Sequence, residues 1–191
     1  LEELVEEGVC PNVTLGITPV LAEQLADPYL TNGFLRYLDT QIEKAQSDVE
    51  RYKDKPELHR VARFQANCFV LRKQWFEERF SRTLLNAFPL LQEKGAIEIV
   101  ASAATHSLLP LLSRDESIQA QIALGKDVYQ KAFGKVPKGF WMPECGYRPG
   151  KERWNETQGH AERRPGLEQI LEANGFRYTF TEYHALEGAS S

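Results

Sequence analysis

Apolar positions along the chain follow two spacings, and the switch between them separates strands from helices. Val13-Thr-Leu-Gly-Ile17, behind Pro11-Asn12, is a short β-branched run that predicts a strand. Thr18-Pro19 then opens a helix, with threonine as N-cap and proline at the first helical position. Residues 95–101 predict a second strand, entered from a helix that ends at Lys94-Gly95. Between residues 116 and 133, Ile118, Ile122, Tyr129 and Phe133 recur at helical spacing, and Gly134 closes the helix. Residues 139–142 form the third predicted strand. Leu167, Ile170 and Leu171 mark a short helix ended by Asn174-Gly175, and residues 176–180 form the fourth strand. Strand–helix–strand order implies an α/β fold with a parallel sheet, part of a β/α barrel.

Residues 28–92 break the rhythm, because no strand signal falls among them. One helical pattern runs through Phe34, Leu38, Ile42, Ala45, Val49 and Tyr52. A second runs through Val61, Phe64, Cys68, Leu71 and Trp75 and continues through Phe80, Leu84 and Phe88. With Lys53-Asp-Lys-Pro-Glu57 as the turn, the expectation is an antiparallel helical hairpin inserted after the first strand. Its aromatic stripe reads as core rather than cofactor contact, and Glu77-Glu78-Arg79 as its solvated side. Beside a catalytic face, such a hairpin could shape a substrate groove.

Composition narrows the partners. The 191 residues suffice for one buried core or for part of a larger barrel. A formal net charge of −4 argues against a general nucleic-acid binder and leaves neutral polyhydroxy substrates open. Cys10, Cys68 and Cys145 are odd in number and far apart, so neither a disulfide framework nor a Cys-x-x-Cys metal site is expected. There is no signal peptide and no apolar run long enough to cross a membrane, so a reducing cytoplasm is the expected compartment. The chain starts without methionine and ends just after a strand, as a segment cut from something longer would.

The chemistry concentrates at strand exits, where a parallel β/α sheet binds its ligands. The second strand leaves into Thr105-His106, the third into Pro143-Glu144-Cys145-Gly146-Tyr147-Arg148, and the fourth into Thr181-Glu182-Tyr183-His184. His106, Glu144 and His184 are therefore expected on one face. An acid among aromatics suits a site that holds a sugar. The plain alternative is a turn with one solvated glutamate, and a lone histidine is more often structural. Cys145 reads as a small buried thiol rather than a nucleophile. A metal site from His106, His184 and a carboxylate has no supporting spacing. Retaining glycosidases pair a nucleophilic carboxylate with an acid/base about 5 Å away. Glu144 supplies the first, and Asp115 and Glu182 are the nearest candidates for the second.

Trp141-Met-Pro-Glu-Cys-Gly-Tyr-Arg-Pro-Gly150 closely resembles the nucleophile motif of family-57 glycoside hydrolases. Ala103-Ala-Thr-His-Ser-Leu-Leu-Pro-Leu-Leu112 is similar to that family's histidine motif, and residues 14–27 to its region after an early barrel strand. The helical hairpin and Tyr147-Arg-Pro-Gly150 are closer to 1,4-α-glucan branching enzymes than to the family's 4-α-glucanotransferases. The resemblance implies an incomplete seven-stranded β/α barrel, α-glucan substrates, a retaining mechanism and no cofactor or obligate metal. It implies Glu144 as nucleophile, His106 as a sugar contact, and Trp141, Cys145 and Tyr147 lining the pocket. Met142 stands where leucine is usual, a conservative change. The family's N-terminal histidine motif would lie upstream of Leu1, and its acid/base, an aspartate, beyond Ser191. On that reading the 191 residues are a partial catalytic domain with little turnover of their own. The alternatives are an α-amylase-type hydrolase of the same family, or a truncated homologue that binds glucan without chemistry. A metal-dependent deacetylase on a related barrel is a weaker third.

Overall fold

The computed structural model describes residues 1–155 and 159–185, with the side chains of Asn155 and His184 excepted. The described strands are β1 (Val13–Gly16), β2 (Ile97–Ser102), β3 (Gly139–Trp141), β4 (Lys151–Asn155), β5 (His160–Arg164) and β6 (Tyr178–Phe180). The α-helices are α1 (Glu2–Glu6), α2 (Pro19–Ala26), α3 (Pro28–Arg51), α4 (Pro56–Gln74), α5 (Ala87–Glu93), α6 (Asp115–Phe133) and α7 (Leu167–Ala173). The chain divides into two compact units, Leu1–Glu23 with Pro89–Ser191, and Gln24–Phe88. No described helix is long and apolar enough to cross a membrane.

In the first unit β1, β2, β3 and β6 lie in that order, all parallel, as the strand–helix rhythm predicts. Each of the four predicted strands is present, with ends shifted by a residue or two. The helix signals also hold. Thr18 Oγ1 accepts the Leu21 amide at the start of α2, and Gly134 closes α6 in the left-handed conformation.

Helix α6 packs on β2 through Ile118, Ile122, Tyr129 and Phe133, all buried. Each of these apolar side chains contributes about 1.5–3 kcal/mol by leaving water. Tyr129 Oη donates to the Ile99 carbonyl at 3.1 Å and accepts from Gln92 Nε2 at 3.0 Å. Burial pushes this hydroxyl above its ordinary titration range. Leu167 and Leu171 of α7 are also buried, and Phe176 meets the Phe140 ring edge-on at 5.0 Å. Two glycines in this unit allow close packing within the sheet and against α6. A Cβ on Gly125 would come within 2.0 Å of the Ser102 carbonyl oxygen. One on Gly139 would strike the ring of Tyr178.

The second unit is built on α3 and α4, which pack on one another. Asp27 caps α3 by accepting the Tyr29 amide at 2.7 Å, with Pro28 at the first helical position. Leu38, Ala45, Ala62 and Ala66 are buried, and Phe34 meets Phe76 edge-on at 5.0 Å. The salt bridge Lys73–Asp39, at 2.5 Å, joins the C-terminal part of α4 to the middle of α3, so the two run antiparallel. The second helical pattern does not continue through Phe80, Leu84 and Phe88 as one helix. It ends in a π turn at Trp75–Arg79, and Ser81 (φ 49°) and Arg82 (φ 63°) redirect the backbone. A 3-10 turn at Leu84–Asn86 and then α5 follow.

Strands β4 and β5 form an antiparallel pair that the apolar pattern does not reveal. Their cross-strand partners are mostly charged, as in Glu152 with Arg163 and Arg153 with Glu162.

Replacing Gly125 by alanine tests the packing of α6. In an exposed helix the change stabilises by about 1 kcal/mol. Here the methyl meets backbone rather than a flexible side chain, so thermal denaturation should show a loss of roughly 1–3 kcal/mol. A raised melting temperature would contradict the packing described.

Candidate active site

The carboxyl ends of β2 and β3 lie side by side. Ser102 is paired with Trp141, and its hydroxyl donates to the Trp141 carbonyl at 2.9 Å. Both strands exit through left-handed backbone, at His106 (φ 56°), Glu144 (φ 54°) and Cys145 (φ 50°). That region costs residues of this kind roughly 1–2 kcal/mol each. Such conformations persist only where the surroundings hold them, and they concentrate at functional sites.

Several contacts hold these. Phe140, Met142 and Pro143 are fully buried beneath Glu144, whose carboxylate stands exposed. On the other loop, the Ala104 amide donates to the Gln121 carbonyl at 3.0 Å and the Thr105 amide to Gln121 Oε1 at 2.9 Å, tying it to α6. The loops also touch one another. A Cβ on Gly146 would lie 2.5 Å from Leu108 Cδ1 and 3.4 Å from Pro110 Cδ.

A charged cluster joins the same segments. Asp115, at the start of α6, accepts from Arg164 Nε at 2.9 Å and Nη2 at 2.5 Å, and from Arg148 Nη2 at 3.5 Å. Arg164 Nη2 also donates to the Leu112 carbonyl at 3.1 Å, and Arg153 Nη1 to the Ser113 carbonyl at 2.6 Å. Arg148 and Arg164 are 7% and 6% exposed, so both are buried charges that need these partners. Burial, and then the neighbouring Arg164, hold the Arg148 guanidinium below its ordinary range. Asp115 is thereby removed as a candidate acid/base, because its Oδ1 already serves two buried guanidiniums. Glu182 is exposed on the turn after β6.

The structure sets β2 and β3 side by side, so the loops bearing His106 and Glu144 leave the same end of the sheet. Among the described residues neither side chain has a hydrogen bond or ion pair, and both are exposed. Trp141 is 38% exposed and its ring lies 5.1 Å from that of Phe180, tilted by 35°. Sequence reasoning passed over Phe180, although Trp141 and Phe180 occupy equivalent strand-end positions. Cys145 is half-buried, and its carbonyl accepts from Thr181 Oγ1 at 3.5 Å. The Tyr147 hydroxyl donates to Glu168 Oε2 at 3.0 Å, which orients this ring toward α7. Burial, reinforced by that carboxylate, pushes the hydroxyl above its ordinary range. Tyr183-His184-Ala185 form a single 3-10 turn at the same end of the sheet, and the His184 side chain lies outside the described residues. No group of three or more His, Cys, Asp or Glu among the described residues could hold a metal ion.

The parallel sheet thus presents a glutamate, a histidine and an exposed tryptophan at the exits of neighbouring strands. A sequence model of glycosyl hydrolase family 57 matches residues 9–189, and the chain belongs to that family. It is 39% identical over its whole length to the 1,4-alpha-glucan branching enzyme TK1436 of Thermococcus kodakarensis, of which it covers 28%. A probable 1,4-alpha-glucan branching enzyme of Mycobacterium tuberculosis is 28% identical over 83% of the chain, which covers 32% of that relative. Among solved structures, the GH57-type branching enzyme of Pyrococcus horikoshii superimposes with a TM-score of 0.87 at 37% identity, covering 98% of this chain and 35% of that one. The alpha-amylase AmyC of Thermotoga maritima gives 0.84 at 32% identity, over 99% and 34% respectively. The chain thus spans about a third of the length of these relatives.

Cys145 offers a direct test of the left-handed turn. Cys145→Val places a β-branched residue in that conformation and should cost about 1–3 kcal/mol in chemical denaturation. Cys145→Gly, free of that penalty, should stay within about 1 kcal/mol of the parent. Equal stabilities for the two variants would contradict the backbone described.

Proposed function

We propose that the chain is part of the catalytic domain of a 1,4-α-glucan branching enzyme. The domain would be an incomplete seven-stranded β/α barrel, with residues 28–92 as a helical insertion and further barrel segments on both sides. The observation that carries the reading is Glu144. Its exposed carboxylate sits in left-handed backbone above a buried Phe140, Met142 and Pro143, beside the exposed Trp141. Identity to branching enzymes along the whole chain supports it.

On this reading Glu144 attacks the anomeric carbon of an α-1,4-linked glucose unit. The bond to the leaving O4 breaks, an acid protonates that oxygen, and a covalent glycosyl-enzyme forms with inverted configuration. The acid is an aspartate beyond Ser191. A 6-hydroxyl of another glucan then attacks, returns its proton to the same group and restores the α configuration in an α-1,6 link. Trp141 and Phe180 supply stacking surface, and His106 hydrogen-bonds the sugar held at Glu144. Cys145 and Tyr147 shape the floor, with Tyr147 braced by Glu168. Water must be excluded while the intermediate lasts, or hydrolysis competes.

The similarity to the T. maritima amylase favours hydrolysis as the second reading. The two differ in product, new α-1,6 links against new reducing ends. A proton NMR time course of amylose with the full-length protein should show an α-1,6 anomeric signal, and Glu144→Gln should lower its growth at least 1,000-fold. The 191 residues alone should show little or no turnover. Reducing ends without α-1,6 signal would replace branching by hydrolysis, and unchanged activity in Glu144→Gln would remove Glu144 as nucleophile.

A further inference from the structure

We propose that Asp115 is a positioning residue for Glu144, holding the loop that carries the carboxylate in register with the loop that carries His106. The inference rests on the reading of Glu144 as the acting nucleophile. Three observations lead to it.

Glu144, Cys145 and His106 occupy left-handed backbone, and the bonds within each turn are local, so the placement of one loop against the other needs ties between them. Arg148 is only four residues after Glu144 and points its guanidinium at Asp115, which follows the His106 loop at the start of α6. Arg164, from the end of β5, reaches the same carboxylate oxygen and also the Leu112 carbonyl. One carboxylate thus joins the exit of β3, the hairpin that follows it, and the end of the β2 exit loop.

The charges make the tie hard to replace. Without the carboxylate, two buried guanidiniums face each other in a poorly solvated place. Arg148 Nε already has no partner among the described residues, so this side chain has few other bonds to fall back on. Its other hydrogen bond among the described residues is from Nη1 to the Pro149 carbonyl at 3.3 Å. Loss of Asp115 should let the segment from Glu144 to Arg148 relax. The exposed aromatic surface at Trp141 should change little, because the sheet register and the Ser102 bond set that residue. Misplacement of a reacting group by about 1 Å can cost 100-fold in rate. The expected signature is therefore a fall in kcat without a matching change in KM.

The test is steady-state kinetics of the full-length protein on amylose, well below the melting temperature of each variant, with folding checked by circular dichroism. Asp115→Asn should lower kcat roughly 30- to 100-fold while KM moves less than about 3-fold. Asp115→Glu, which keeps the charge, should recover at least 5-fold of that loss. Should Asp115→Asn not fold, Arg148→Lys should show the same kcat-limited defect, since an ammonium cannot reach the Asp115 carboxylate and the Pro149 carbonyl as two guanidinium nitrogens do. Lys131→Gln, which breaks only the exposed pair with Glu23, should match the parent. A kcat within 2-fold of the parent in a folded Asp115→Asn, or in Arg148→Lys if the first does not fold, overturns the proposal. So does a loss carried by KM, or one that Asp115→Glu does not relieve. Full activity in Glu144→Gln would instead sink the reading of the site, and this inference with it.

Discussion

Strand β3 is three residues long, and its packing sets what can be placed beyond it. Gly139 has no side chain, which lets the Tyr178 ring lie against it from the neighbouring strand. Phe140 is wholly buried against Phe176, and Met142 and Pro143 carry the burial past the end of the strand. A chain anchored so deeply on both sides has little freedom in where it emerges. The next residue is Glu144, and its carboxylate is presented at the surface by backbone that would be unfavourable without that anchor. A protein interior packs like a solid rather than a liquid, so a rigid pedestal of this kind is what holds a strained turn in place.

Apolar packing explains the pedestal, and charge explains the loop above it. The segment after Glu144 contains no apolar run to bury, yet Arg148 and Arg164 are almost wholly enclosed. Burying guanidinium groups carries a desolvation cost that only well-placed partners offset. Asp115 and the Leu112 carbonyl are such partners, and both belong to the end of the β2 exit loop or the start of α6. A hydrophobic contact would have held these loops as tightly. A fork of directional bonds also fixes their register.

How much of this could be read beforehand follows from the kind of interaction involved. The four parallel strands were legible because each is a short β-branched or aromatic run bounded by glycine or proline, as at Val13-Thr-Leu-Gly-Ile17. The loops with Glu144 and His106 were legible because a parallel sheet puts strand exits at one end, and because a family motif runs through both. Strands β4 and β5 were not legible. Their stabilising pairs, such as Arg153 with Glu162, are mostly between charged residues and leave no apolar alternation. The role of Asp115 was hidden for a different reason, since its partners lie 33 and 49 residues away. The break after α4 escaped notice because Phe80, Leu84 and Phe88 keep helical spacing while Ser81 and Arg82 turn the backbone. Tyr147 illustrates a further limit. Its position in the motif marks it as a pocket residue, whereas the carboxylate that orients it, Glu168, is on a helix with no motif.

The central claim is that Glu144 acts as the nucleophile. Its most direct test is to trap the glycosyl-enzyme on the full-length protein with an activated fluorosugar of the α-gluco series and map the labelled peptide by mass spectrometry. The expected result is one glycosyl group on the peptide containing Glu144, absent in Glu144→Gln. A label on another carboxylate, or trapping that survives Glu144→Gln, would contradict the account.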